Sequence, residues 1–219
     1  MAKRPKHSEA ATLELYRVAL ENAGSQPEIS TEMAELGYDA AKIDEGKALL
    51  AQTRAAYDAN ISEDDETTAA YALFASKKLE LEKIFMQHRK KAKVVFRKDS
   101  LIADKLAVLG EMPRTYVNLL EAAAKFYEIS MTNNDIQSKL AQLAITPEQL
   151  TAGKTLLTEL ETARAEYLKE KGESQEATKI KDAAFAKMDD WMSEFYAVAR
   201  IALEDKPQLL EALGKVVKG

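Results

Sequence analysis

The chain has 219 residues, a formal net charge of −5 and 46% hydrophobic residues, which is typical of a folded globular protein rather than a disordered one. Its 8 glycines and 5 prolines are too few for the frequent turns of an all-β fold, and its acidic balance does not favour nucleic acid or an anionic membrane as a partner. The lack of cysteine excludes disulfides, thiolate nucleophiles and zinc sites that need sulfur.

The N-terminal end predicts neither export nor membrane insertion. Residues 1–8 form a basic, polar tail with no apolar stretch behind them, so we expect no secretory signal. No segment approaches the ~20 consecutive apolar residues of a transmembrane helix. Together with the lack of cysteine, these features predict a soluble, cytoplasmic protein.

Apolar residues recur at helical spacing from residue 9 onward, and the composition is dominated by strong helix formers, so we predict an all-α fold. Capping residues and glycines set the expected helix ends. The expected helices of the first half are, in chain order, residues 9–24; residues 27–36, with Ser25 and Glu28 as a capping box, Pro27 in the first turn and Gly37 as the stop; residues 39–59; a long helix from Ser62 to about residue 97; and a short helix from Asp99 to Gly110.

The second half of the sequence repeats the first. When the sequence is slid along itself so that Leu13 meets Leu120, the other identical pairs include Glu21 and Glu128, Gly46 and Gly153, and Leu50 and Leu157. This offset of 107 then falls to 106, where Phe85-Met86 meets Trp191-Met192, and to 104, where Leu109-Gly110 meets Leu213-Gly214. The pattern predicts a tandem duplication of a four- to five-helix bundle unit, with repeat 1 at 9–112, repeat 2 at 113–219 and Pro113 at the seam. In repeat 2, Thr146 with Pro147, and Asp205 with Pro207, are the expected helix starts.

Gly46 and Gly153 occupy matching positions inside predicted helices. A glycine there costs about 1 kcal/mol relative to alanine, so its presence in both repeats predicts a close approach of two backbones. Gly46→Leu should therefore destabilise the fold through a clash.

The end of the second repeat has an aromatic-rich helix followed by a short capped one. The residues that carry this pattern are Trp191 to Phe195, Ala202-Leu203, Pro207 and Leu209 to Gly214. The C-terminal third of the chain thereby resembles uncharacterised bacterial helical-bundle proteins. The resemblance implies a bacterial source and the same kind of bundle, and it implies no activity.

His88 is the one histidine within the predicted bundle, and it shares a helix face with Leu81, Phe85 and Ala92. A buried histidine can serve as a general base or metal ligand. The Glu-x-x-His pairs of di-iron bundles are absent from the sequence, however. We therefore expect a core histidine bonded to a backbone carbonyl or a neighbouring hydroxyl. A contact with Glu194, its counterpart at an offset of 106, is the alternative.

Two further patterns predict structure rather than chemistry. The stripe of Met188, Trp191, Met192, Phe195 and Tyr196 favours core packing over a cofactor or lipid pocket. The acidic run at residues 63–66 is typical of the first turn of a helix, where it offsets the helix dipole, rather than of a metal site. No phosphate loop or nucleophile motif occurs in the sequence, so we predict no enzymatic activity, no cofactor and no metal.

A basic run is the strongest departure from an ordinary helical surface. Its members, all within ten positions and with no acidic residue among them, are Arg89, Lys90, Lys91, Lys93, Arg97 and Lys98. Arg89, Lys90, Lys93 and Arg97 fall within an arc of about 100° on one helix, which makes them candidates for binding a partner or an anion. The matching stretch of repeat 2 carries Glu194 and Glu204 against the single basic residue Arg200, so the two repeats differ in charge.

Two functional hypotheses follow. The first is a non-enzymatic binding or scaffold module whose helical surface engages another protein or a second copy of itself. The alternative is a nucleic-acid or polyanion binder that acts through the basic face at residues 89–98.

Overall fold

A computed structural model describes residues 7–215, and all the regular structure in this range is helical, so the prediction of an all-α fold is confirmed for the described residues. Residues 1–6 of the predicted basic tail, and residues 216–219, lie outside them. The helices are α1 (Glu9–Ser25), α2 (Pro27–Glu35), α3 (Ala40–Val95), α4 (Ser100–Lys105), α5 (Tyr116–Thr132), α6 (Asn134–Ala141) and α7 (Pro147–Ala202), followed by a 3₁₀ helix, Pro207–Glu211.

The predicted break near residue 60 is wrong, because α3 is one continuous helix of 56 residues. Ser62 lies inside this helix, and the acidic run at residues 63–66 is not in a first turn. The chain has neither glycine nor proline between Gly46 and Gly110. Serine and aspartate alone cost a helix only a few tenths of a kcal/mol each, too little to end one that is held by packing.

Other helix ends divide between confirmed and wrong predictions. Asp99 caps α4, and the Thr146 hydroxyl accepts a hydrogen bond from an amide in the first turn of α7, as predicted. Ser25 is instead the last residue of α1, and α2 begins at Pro27 without a side-chain cap. The predicted cap at Asp205 is also wrong, since the 3₁₀ helix has no side-chain cap.

A single constant offset relates the helices of the two halves. The helix starts Glu9, Pro27, Ala40 and Ser100 recur, at the offset that joins Leu13 to Leu120, as the starts Tyr116, Asn134, Pro147 and Pro207. The turn bonds keep this offset too: Tyr38 N–H to Met33 C=O recurs as Ile145 N–H to Leu140 C=O, and Val108 N–H to Ala103 C=O recurs as Lys215 N–H to Leu210 C=O. The smaller offsets of 106 and 104 suggested by sequence identity have no counterpart in these bonds.

The chain forms two compact units, and each combines segments that are distant in sequence. Among the described residues, the first unit consists of residues 7–64 and 173–215, and the second of residues 65–172. Both boundaries fall within a long helix, so each unit contains part of α3 and part of α7. Each unit therefore takes residues from both predicted repeats.

Each unit has its own core, in which segments of the two long helices run antiparallel. In the first unit, Thr53 donates a hydrogen bond to the Ala184 carbonyl, and α1 and α2 pack against Met192 and Phe195. In the second unit, Thr67 donates to the Glu170 carbonyl at 3.0 Å. The core of this unit is formed by Phe85, Phe126, Tyr127, Leu140, Leu150 and Leu160, among others.

The helical glycines Gly46 and Gly153 lie against aromatic rings. A Cβ added at Gly46 would overlap the Trp191 ring in the first unit, and one added at Gly153 would overlap the Tyr127 ring in the second. The predicted close approach is confirmed at both positions, but the predicted partner is wrong, because a side chain and not a second backbone occupies the space.

Candidate functional site

Arg89 is buried in the second unit and is not part of a solvent-exposed basic face. Only 4% of this residue is exposed, and its guanidinium donates hydrogen bonds to the carbonyl oxygens of Leu109 and Glu111 at 2.9 and 3.0 Å. A third contact, at 3.4 Å, joins it to the Met112 sulfur. Burial lowers the pKa of Arg89. The side chain thus fixes the segment between α4 and α5 against α3.

The other three predicted residues are exposed: Lys90 and Lys93 lie on α3, and Arg97 lies in the turn that follows it. The Lys93 ammonium donates a hydrogen bond to the Gly110 carbonyl at 2.8 Å, which places it at the edge of the segment that Arg89 holds. The structure therefore separates the predicted set into one buried structural arginine and three cations at the surface.

Two of these cations, Lys90 and Lys93, belong to a longer stripe along α3. At about 100° per residue, five exposed residues fall within an arc of roughly 80°: Leu79, Lys83, Met86, Lys90 and Lys93. The buried residues Leu81, Phe85 and Ala92 lie on the other side of the helix. We call this set the α3 stripe. It alternates large apolar side chains with basic ones on a face turned away from the core.

A groove of about 850 Å³ runs beside the stripe within the second unit. One wall is formed by Leu79, Lys83, Met86 and Lys93 of α3, and the other by residues 110–114. The exposed fraction is 67% for Leu79 and 39% for Met86, so both apolar side chains are open to solvent. We call this feature the α3 groove. Its opposite wall contributes the Met112 and Pro113 side chains and the exposed Arg114.

The charges around the groove are predominantly positive and lack acidic partners. Among residues 7–215, no carboxylate lies within 4.0 Å of the charged nitrogens of the five cations Lys83, Lys90, Lys93, Arg97 and Arg114. Glu82, the acidic residue on the α3 wall, is bonded to Lys78 at 3.3 Å. Elsewhere on α3, by contrast, Lys42 and Arg54 pair with acids three or four residues away. The opposite wall also contains the exposed Glu111. The groove is therefore an apolar surface with a small excess of positive charge.

His88 lies in the core of the second unit, with 5% of the residue exposed, and not in the groove. Its Nδ1 atom shares a hydrogen bond of 3.2 Å with the Tyr127 hydroxyl. The predicted core histidine bonded to a neighbouring hydroxyl is confirmed. Its partner is not the alternative Glu194, whose carboxylate belongs to the first unit and, after burial, is the next largest cause of the raised pKa of Tyr38.

Acid should destabilise the chain through His88. Burial, with the positive charge of Lys91 adding to it, lowers the pKa of His88 to about 4 from its usual 6.5. The unfolded chain therefore binds a proton near pH 6.5 that the folded chain resists until about pH 4, so the unfolding free energy falls across this range, by up to about 3 kcal/mol.

This dependence is measurable by urea unfolding of the wild type and of His88→Phe between pH 7 and pH 4. Phenylalanine is the replacement of choice because the counterpart of His88, at the offset that relates the helix starts, is the buried Phe195. The variant should lose less stability on acidification than the wild type. If the unfolding free energy of the two proteins changed with pH in the same way, His88 would not be the cause of the lost stability.

The aromatic and methionine stripe of α7 forms core in the first unit, as predicted. Met188, Met192, Phe195 and Tyr196 are buried, and Trp191 is half-buried with its ring stacked on Phe195. The Tyr196 hydroxyl donates a hydrogen bond to the Leu213 carbonyl.

The chain was compared with models of known protein families, with curated proteins and with solved structures, and none of the three comparisons finds a match. The resemblance to uncharacterised bacterial helical-bundle proteins stays a prediction. Within residues 7–215, no helix is apolar over a sufficient length to cross a membrane.

Proposed function

We propose that the chain is a non-enzymatic interaction protein that binds another protein through the α3 groove. One observation carries this proposal: Leu79 and Met86 are exposed, side by side with cations that have no acidic partner, on the helix face opposite the core. A solvated surface needs neither feature. Apolar side chains that border a groove and are rimmed by polar ones are typical of protein-binding sites.

Three of the groups with strongly shifted pKa values lie inside the cores, which supports a non-catalytic function; the half-buried Tyr16, whose pKa is raised by burial and by its hydrogen bond to Asp189, is not one of them. His88 and Tyr127 form a pair inside the core of the second unit, and Tyr196 is buried in the first. Desolvation by packing explains each of these shifts. Catalytic acids and bases combine a shifted pKa with access to a cleft, and these groups lack that access.

The duplication is part of the same proposal. The constant offset between helix starts, as from Glu9 to Tyr116, and between turn bonds supports a tandem duplication of a four- to five-helix unit, after which the basic groove evolved in one copy. An alignment of related sequences tests it. Apolar core positions should recur at this offset across the relatives, and an alignment with no such recurrence would contradict it.

Replacing Met86 tests the binding function. Wild-type chain and Met86→Glu are tagged, expressed in the native host and purified under mild conditions, and the co-purifying proteins are quantified. We expect the amount of the specific co-purified partner to fall by about tenfold or more with Met86→Glu, because the substitution places a charge on the apolar wall of the groove.

Ile180→Glu is the matched control. Ile180 is likewise an exposed apolar residue on a long helix, but it lies in the first unit. The Ile180→Glu variant should retain the co-purified partner. Equal recovery from all three chains would contradict the proposal.

The unpaired cations favour one second candidate, which is binding of nucleic acid or another polyanion through Lys83, Lys90, Lys93 and Arg97. Such binding weakens steeply with salt, because it depends on release of counterions. Fluorescence anisotropy with a labelled oligonucleotide at 50 and 200 mM salt tests it. A lack of salt-sensitive binding at micromolar protein would contradict it.

A further inference from the structure

We infer that the partner presents an amphipathic helix whose apolar seam is flanked by acidic residues, and that this helix lies along α3 in the α3 groove. The inference rests on the proposed function and adds the chemistry of the partner. Three features of the groove specify it: the spacing of its apolar residues, the sign of its charges and its concave shape.

The apolar residues have the spacing that a helix recognises. Leu79 and Met86 are seven residues apart, which is two turns or about 10.5 Å along the axis of α3. A partner helix with apolar residues at positions i and i+7 repeats this distance and can place one side chain against each. Met112 and Pro113 line the groove on the opposite wall, so a side chain placed against Leu79 or Met86 would have apolar groups on both sides.

The charges call for acidic flanks on that helix. Lys83 lies between the two apolar residues, Lys90 and Lys93 follow Met86 along the stripe, and Arg114 lies on the opposite wall. Two carboxylates also line the groove, that of Glu82, which pairs with Lys78, and that of Glu111. Because cations outnumber them, a helix with glutamates or aspartates beside its apolar seam would form more ion pairs here than a basic helix.

Other occupants explain less of the groove. Single-stranded nucleic acid binds by stacking bases on aromatic rings, and the α3 stripe contains none. A flat anionic membrane would use the lysines but not the opposite wall formed by residues 110–114. A second copy of the chain as the occupant would make the chain self-associate as its concentration rises, which sedimentation measures.

Peptide probes test the inference on the full chain. The first probe is a fluorescein-labelled helical peptide of ~18 residues with leucines at i and i+7 and glutamates beside them, and the second has lysines in place of the glutamates. Binding is followed by fluorescence anisotropy. We expect the acidic peptide to bind with a Kd in the range of ~10 µM and the basic peptide to bind at least about tenfold more weakly.

Two double variants locate the binding. Lys83→Glu/Lys90→Glu should raise the Kd of the acidic peptide by about tenfold or more. Lys125→Glu/Lys187→Glu changes the net charge by the same amount at exposed lysines outside the groove and should leave the Kd within about twofold. Circular dichroism of both variants verifies that each remains helical.

Several results would overturn the inference. They are equal affinity for the two peptides, equal weakening by the two double variants, no binding of the acidic peptide at 200 µM chain, and tighter binding of a 20-nucleotide single strand or of phosphatidylserine vesicles than of the acidic peptide. A dimer that Lys83→Glu/Lys90→Glu dissociates in sedimentation would assign the groove to a second copy instead. If the peptides fail while Met86→Glu still loses a cellular partner, the binding function stands and only the helical acidic partner is refuted.

Discussion

Gly153→Ala is expected to lower the unfolding free energy by about 2–3 kcal/mol, although alanine favours a helix over glycine by about 1 kcal/mol. The new methyl group would overlap the Tyr127 ring. Tyr127 is fully buried and bonded to His88, so its ring has no free space to move into. Urea unfolding at pH 7 measures the change.

Gly172→Ala is the control for this prediction. Gly172 also lies inside α7, and a Cβ there would meet no atom within 4 Å. The Gly172→Ala substitution should raise the unfolding free energy by up to about 1 kcal/mol, through helix propensity alone. The same sign of change in both variants would contradict the packing argument. Gly46→Ala should lie between them, because the Trp191 ring that it meets is only half-buried.

Arg89→Met is the second substitution with a large expected effect, a loss of about 3 kcal/mol. Methionine keeps much of the apolar volume but removes the donor of two hydrogen bonds, to the carbonyl oxygens of Leu109 and Glu111, and a hydrogen bond from a charged group contributes about 1.5–3 kcal/mol. Hydrogen exchange should also become faster in the segment between α4 and α5, which Arg89 holds against α3.

Arg97→Met separates this local role from a general effect of charge. Arg97 is exposed in the turn that follows α3, so its replacement should change the stability by less than about 0.5 kcal/mol. Equal losses in the two variants would show that Arg89 acts through net charge and not through its hydrogen bonds.

Local sequence signals predicted the helix ends that depend on local chemistry. Asp99 and Thr146 cap the helices that they precede, because a side-chain oxygen can reach the free amides of the first turn in any surroundings. Ser62 has the same cap-forming side chain but lies within α3. Packing of the long helices decides that case, and packing is not visible in a short stretch of sequence.

The candidate site was predictable in part. The basic run gave Lys90, Lys93 and Arg97 as surface cations, but Arg89 is buried because a segment twenty residues away covers it. Leu79 and Met86 were missed, although a signal for them exists in the sequence. Both are out of phase with the core residues Leu81 and Phe85, and large apolar residues on the solvent side of a helix are candidates for contact with a partner.

The central claim is that the α3 groove is the surface through which the chain binds a protein. A photo-crosslinking amino acid placed at position 86, and in a second chain at position 180, tests it most directly in the native host. We predict a discrete crosslinked protein from position 86 that is absent from position 180. The same products from both positions, or none from position 86, would contradict the claim.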